Sequence, residues 1–359
     1  MTLLYKPNLE QVVERHRLLW TGRLPHGILA AIEPEEAPLG PLHSEACKVA
    51  PDLDAMIEVW EDRLAKRREL LDDSMPVARV SFGSSAFGGY LGAEVIFGEG
   101  GGWSRPLLTN WSLLEALRFD DNNEWIRRQR EACRCFARRA AGRFAVCELE
   151  VIDALNLAHS LRGTAQLLLD IYDHPQELRR LMAFGVGFNA RLIEMQRQIL
   201  GSAVYHDGGV FSRRYIWLPG QAVWLSVDAY GMCAPQIFAD FGRQFLQQLI
   251  DHFGAGWLHL HANGLHLLPE VLKLERLLGI SIYEDPGEPR PFDRLDEIRA
   301  TTGSMPLEIW CHEDELLAGI CSGTLPGGVL YRVDRVKTVD EGNRIMEQVW
   351  AYRALQSPN

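Results

Sequence analysis

The sequence predicts an α/β protein of the (β/α)8 (TIM) barrel class, with an N-terminal helical segment and long covering loops. Three observations carry this. Eight short, mostly apolar runs alternate with longer segments whose apolar positions recur at helical spacing. Six of these runs also carry polar residues at alternate positions, as strands do when one face meets helices and the other meets a barrel axis. Finally, 359 residues with 47% hydrophobic content suit one large barrel core. Residues 1–359 are therefore expected to form a single domain, with 1–75 supplying the N-terminal helices and first strand.

In chain order, residues 9–19 and 53–71 show helical spacing with charges between the apolar positions. Between them the run 27–32 precedes Glu33-Pro34 and reads as a buried strand stopped by proline. Strand two is 77–82, closing on Gly83. The glycine-rich stretch 88–103 holds too much Tyr, Phe, Ile and Trp for a linker and reads as a long loop that covers something. A helix over 122–139 leads to strand three, 144–150, and helices dominate 152–200. Residues 205–209 and an aromatic loop with Arg213, Arg214, Tyr215 and Trp217 precede strand four, 223–228. Beyond it, helices over 235–252, 267–278 and 293–300 separate strand five (257–261), strand six (280–285, halted at Pro286-Gly287) and strand seven (307–312). Strand eight is 329–334, and a helix over 339–355 follows. No internal repeat or low-complexity tract interrupts the pattern.

Charge and cysteine usage exclude several functions. A net charge of −11 and a pI near 5.5 argue against a nucleic-acid groove or an anionic membrane surface, which need clustered Lys and Arg. Seven cysteines scattered through a long chain do not form a disulfide framework; Cys133 and Cys135 do not face each other on a helix and read as free thiols. The first residues lack an apolar core of signal-peptide length, and no run of 18 apolar residues occurs, so a reducing cytoplasm is expected.

Strand parity locates the chemistry. The polar faces hold Glu148 and Glu150 on strand three, Ser226 and Asp228 on four, and His259 and His261 on five. They continue with Ser281, Tyr283 and Asp285 on six, Glu308, Trp310 and His312 on seven, and Arg332 and Asp334 on eight. Burying so many ionisable groups costs on the order of several kcal/mol for each one left unpaired. Their polarity rises toward the strand C-termini, where barrel active sites lie. A ligand site at that mouth, or a buried salt-bridge network, accounts for them. The pair His259 and His261 shares one strand face, an arrangement that holds one edge of a tetrahedral metal site; hydrogen-bonded rim histidines are the alternative.

The segment Leu161-Arg162-Gly163 through Asp170-Ile171-Tyr172-Asp173-His174-Pro175 resembles a stretch of the uroporphyrinogen decarboxylase superfamily. Ser226-Val227-Asp228 with Ala234-Pro235-Gln236-Ile237-Phe238 resembles a second, and His259-Leu260-His261 with Asn263-Gly264 is similar to the metal-binding strand of that superfamily's cobalamin- and coenzyme M-type methyltransferases. The resemblance runs from about residue 77 onward. The Arg-rich opening of true uroporphyrinogen decarboxylases is missing around Arg15–Arg23, which points away from a tetrapyrrole substrate. The methyltransferase branch implies zinc held by H-x-C and a later cysteine. Here His261 stands at the cysteine position, and Arg332 and Asp334 stand where the later thiolate would be.

The resemblance thus implies a harder N/O site for zinc, iron or manganese, built from His259, His261 and His312 and completed by Asp285, Glu150 or Asp228. It implies metal-assisted methyl transfer between a small-molecule substrate and a corrinoid on a partner protein, or a thiol acceptor. Asp228, Glu150 or Asp285 would move protons, and Tyr283, Arg332, Arg214 and Trp217 would contact substrate. The alternative is a metal-independent decarboxylase or lyase in which Arg332, Arg214 and also Arg213 hold a carboxylate and Asp228 protonates the carbanion. A binding protein without turnover is a third class. Aromatic loops around Trp103, Trp111 and Trp217 would cover the mouth or form a homodimer face.

Overall fold

All eight runs read as strands form, and all their ladders are parallel. In a computed structural model that describes residues 3–39, 52–83, 86–98, 101–149 and 153–354, they are β1 (Ile28–Pro34), β2 (Val77–Arg79), β3 (Ala145–Cys147), β4 (Val223–Ser226), β5 (Gly256–His261), β6 (Leu277–Tyr283), β7 (Leu307–His312) and β8 (Val329–Val336). Six of them make one sheet in the order β1-β8-β7-β6-β5-β4, so the first strand lies beside the last. Among the described residues the other two, β2 and β3, pair only with each other. The fold is α/β with a six-stranded parallel sheet. The closed eight-stranded ladder expected from the strand count is not continuous among the described residues.

Side chains stand where the missing ladders would run. On the free edge of β1, the Ala30 N–H donates to Asp73 Oδ2 at 2.9 Å and the Ile32 N–H donates to Asp72 Oδ2 at 3.0 Å. Asp72 also receives Lys6 Nζ at 2.6 Å and the Ser74 hydroxyl at 2.8 Å. Burial alone would push the Asp72 carboxyl up, but Lys6 and Arg67 more than offset this and hold it below the usual range. At the other gap, the helix Pro175–Leu200 supplies the bridging groups. Gln196 Oε1 accepts from the Leu149 N–H at 2.9 Å, and Arg197 donates to the Gln221 and Ala222 carbonyls and to Glu148, each within 2.7–2.8 Å. Backbone polar groups buried without partners are expensive, so these carboxylates and amides do the work of strand neighbours.

Several helices depart from the sequence-based expectation for local reasons. The helical region 152–200 divides into Ala154–Arg162, Thr164–Asp173 and Pro175–Leu200, broken where Gly163 takes φ 80° and where Pro175 starts a new helix. The expected helix over 267–278 shrinks to a 3-10 turn, Ala262–Leu267, and the short helix Leu268–Val271, because β6 already starts at Leu277. A helix over Glu313–Ser322 joins β7 to β8. The glycine-rich stretch folds into a short helix, Ala86–Tyr90, and the antiparallel strands Val95–Gly98 and Gly101–Ser104. No helix among the described residues is long and apolar enough to cross a membrane. Cys133, Cys135, Cys147, Cys233, Cys311 and Cys321 are free.

The aromatic loop after residue 205 is a hairpin. Strands Gly209–Ser212 and Ile216–Pro219 pair antiparallel, with the tip Arg213–Tyr215 between them. The tip is strained: Arg214 (φ 64°) and Tyr215 (φ 58°) both occupy the left-handed region that normally takes Asn or Gly. The strain is held in place from outside, since the Met75 N–H donates to the Tyr215 carbonyl at 2.7 Å and Trp20 Nε1 donates to the Trp217 carbonyl at 2.6 Å. The hairpin tip thereby sets Arg213 over the Trp224 ring on β4 and Arg214 over the Tyr283 ring on β6.

Candidate metal centre and its polar floor

Alternation along β5 turns Trp257, His259 and His261 to the same face, and the register sets His259 beside Ser281 and His261 beside Tyr283 on β6. Asp228 begins the 3-10 turn Asp228–Met232 directly after β4. Its Oδ1 lies 3.4 Å from His259 Nε2 and 3.8 Å from His261 Nε2. One ligand atom from each of Asp228, His259 and His261 can be chosen so that all lie within 4.8 Å of one another, the spacing of a single cation's coordination sphere.

The surroundings suit ligation. Burial, reinforced by His261 and then by Arg214 and Arg213, holds His259 well below the usual imidazole range, so its ring is neutral as a ligand must be. Trp224 stacks on the His259 ring at 5.4 Å, and Tyr283 packs edge-on at 3.9 Å. His261 Nδ1 faces Asp285 Oδ1 at 2.6 Å, and Asp285 Oδ2 accepts from the Asn263 N–H at 3.0 Å. A carboxylate on the far nitrogen of a ligating histidine fixes its tautomer. The donor set of two imidazoles and one carboxylate fits zinc, iron or manganese.

Below this rim lies an ion cluster. Arg332 and Glu308, each 1% exposed, are hydrogen-bonded to each other, and Arg332 also donates to the Arg214 carbonyl. The Arg214 guanidinium lies 4.1 Å above the Tyr283 ring, with Nε 3.4 Å from Glu308 Oε1. Burial pushes the Tyr283 hydroxyl up to about 12. The polar axis read from strand parity thus divides: its inner part is a buried salt-bridge network, and its outer part is the Asp-His-His cluster.

His312 stands outside that cluster: its Nδ1 lies 2.6 Å from Asp334 Oδ1, its strand partner on β8. Trp217 faces the N-terminal helix Leu9–Trp20 instead of the mouth; its indole N–H donates to the His206 carbonyl and Arg17 lies 5.0 Å over its ring. Parity could not have placed it, because its strand belongs to the hairpin. Glu150 lies outside the described residues. Sequence reasoning missed Asp153, which is 2% exposed and caps the helix Ala154–Arg162 by accepting from Leu155 and Asn156 N–H. Burial, with a smaller contribution from Asp228, raises its carboxyl to about 7. An Asp directly before an apolar helical run is the signal that could have found it.

No protein-family model matches the sequence, and no curated protein matches it either. Among solved structures, the chain is similar in fold to a methyltransferase from Methanosarcina mazei, with a TM-score of 0.61 and 11% identity over 95% of this chain and 98% of that one. At this identity the likeness shows the fold.

Proposed function

We propose that this chain is a uroporphyrinogen decarboxylase-superfamily enzyme that transfers a methyl group with the help of a divalent metal held by Asp228, His259 and His261. The observation that carries the reading is the convergence of those three ligand atoms at the C-terminal ends of β4 and β5. It is supported by the overall likeness to a methyltransferase structure and by the sequence resemblance given above. Relative to the set read from sequence, Asp228 replaces His312.

A bound metal there would act as a Lewis acid that lowers the pKa of a substrate thiol. The chain's own residues have distinct tasks. Asp285 holds the tautomer of His261. Arg214 and Tyr283 line the side of His259 and would orient the substrate's polar end. The second participant is a corrinoid carried by a partner protein, or a thiol acceptor. The metal-independent decarboxylase reading puts Arg332, Arg214 and Arg213 on a substrate carboxylate; of these, the Arg332 guanidinium is engaged by Glu308 and the Arg214 carbonyl.

Elemental analysis of protein purified without chelator, beside His261→Ala, tests the reading. About one equivalent of zinc, iron or manganese, lost in the variant, is expected, followed by methyl transfer to or from free cobalamin. A wild-type protein that carries no metal and takes up none when it is added would sink the proposal.

A further inference from the structure

The two histidines of the cluster differ in what stands behind them. His261 Nδ1 has the Asp285 carboxylate at 2.6 Å, whereas His259 Nδ1 is buried with no hydrogen-bond partner among the described residues. An imidazole that presents Nε2 to a cation must carry its proton on Nδ1, and that N–H needs an acceptor. Ser281 Oγ and Glu308 Oε2 are among the other buried atoms without a partner in ordinary hydrogen-bond geometry among the described residues, and Ser281 stands close enough to Glu308 to help hold its carboxyl down. The register sets all three residues at one level on neighbouring strands, with His259 beside Ser281 and Ser281 beside Glu308. Neighbouring strands lie about 4.8 Å apart, so a serine rotamer can bridge its two flanking side chains.

Resting on the metal reading above, we propose that Ser281 and Glu308 are positioning residues for His259, joined to it in a relay that runs from His259 Nδ1–H to Ser281 Oγ and from the Ser281 O–H to Glu308 Oε2. The relay has one direction only. His259 donates, the serine hydroxyl accepts and donates, and the carboxylate only accepts. Its end point is well anchored, because Glu308 Oε1 is already taken by Arg332 with Arg214 beside it, which leaves Oε2 for the serine. Burial would raise the Glu308 carboxyl, but the two arginines more than offset this and keep it ionised. The arrangement assigns the ion cluster a function: two buried cations stabilise a carboxylate that, through one hydroxyl, keeps Nε2 of His259 unprotonated and directed at Asp228.

The test compares Ser281→Val with Ser281→Thr, which match in shape and differ by the hydroxyl. The first readout is the nitrogen chemical shifts of the His259 ring in metal-free protein, assigned by loss of its signals in His259→Gln. Wild type and Ser281→Thr should show the Nδ1–H tautomer, and Ser281→Val a mixture with Nε2–H. The second readout is metal affinity by competition with a chromogenic chelator, in which Ser281→Val should weaken zinc binding about 10–100-fold and Ser281→Thr should not. Equal tautomer populations in the three proteins would overturn the relay. A protein that shows the predicted tautomers yet binds no zinc would keep the relay and remove the metal reading. Ser281→Thr behaving like Ser281→Val, with both folded by circular dichroism, would overturn the hydroxyl's role.

Discussion

Replacing Arg332 by Met should destabilise the protein far more than the loss of an ordinary surface charge. Arg332 and Glu308 are each 1% exposed, so the substitution strands a buried carboxylate. Breaking one partner of such a pair costs about 3–5 kcal/mol, most of it the desolvation of the charge left behind. Arg214, whose Nε is 3.4 Å from Glu308 Oε1, shares the load and places the expected loss near the lower end. With an unfolding entropy of about 2.1 cal/mol/K per residue, 359 residues give roughly 0.75 kcal/mol/K, and 3–5 kcal/mol becomes a Tm decrease of roughly 4–7 °C. Scanning calorimetry measures it directly. The double variant Arg332→Met/Glu308→Gln removes both charges and keeps an acceptor for Arg214, so it should unfold at a higher temperature than the single variant. An Arg332→Met protein within about 1 °C of wild type, or a double variant less stable than the single, would refute the account of a buried, mutually dependent pair.

Two buried carboxylates should give opposite pH dependences. Asp153, raised to about 7, binds its proton more tightly when folded, so wild-type stability should fall as pH rises from the unfolded value of about 4 toward 7. Asp153→Asn retains the cap and should flatten that slope in denaturant titrations. Asp72, held below the usual range, stabilises above about pH 4 and loses that contribution as pH falls further. Asp72→Asn should therefore unfold earlier at neutral pH and show a shallower acid limb. Gly327→Ala should lower Tm by several degrees, because a Cβ there would meet the Pro25 carbonyl at 2.1 Å and His26 Cα at 2.7 Å, both backbone atoms. An unchanged Tm would mean that this contact relaxes freely.

Strand positions and strand parity were legible in the sequence because period-two alternation survives in any parallel sheet with one polar face. His259, His261, Asp285 and Asp228 all lie where parity or chain position put them. Three things were not legible. The ladder gaps beside β1 and β3 depend on Asp72, Asp73 and Gln196, whose side chains replace backbone partners from distant parts of the chain. The hairpin carrying Arg214 and Trp217 has no turn signature, since its left-handed positions hold Arg and Tyr where Asn-Gly would have announced it. His312 shares the inward parity of the other ligand candidates but faces Asp334 on β8 and stands outside the cluster, a pairing that periodicity does not encode.

The adjacency of β1 and β8 bears on how the chain is made. Ile28 pairs with Val329 across about three hundred residues. At roughly 5–20 residues per second a ribosome needs about 15–60 s to deliver that partner. Throughout that interval Ile28, Leu29 and Ile32, which end up no more than 1% exposed, belong to a strand with one edge unmatched. Only its other edge can be occupied early, by Asp72 and Asp73, which emerge some forty residues later. Nascent chains are thus exposed to capture by chaperones or by one another until the last strand emerges, and any truncation that removes β8 makes that exposure permanent.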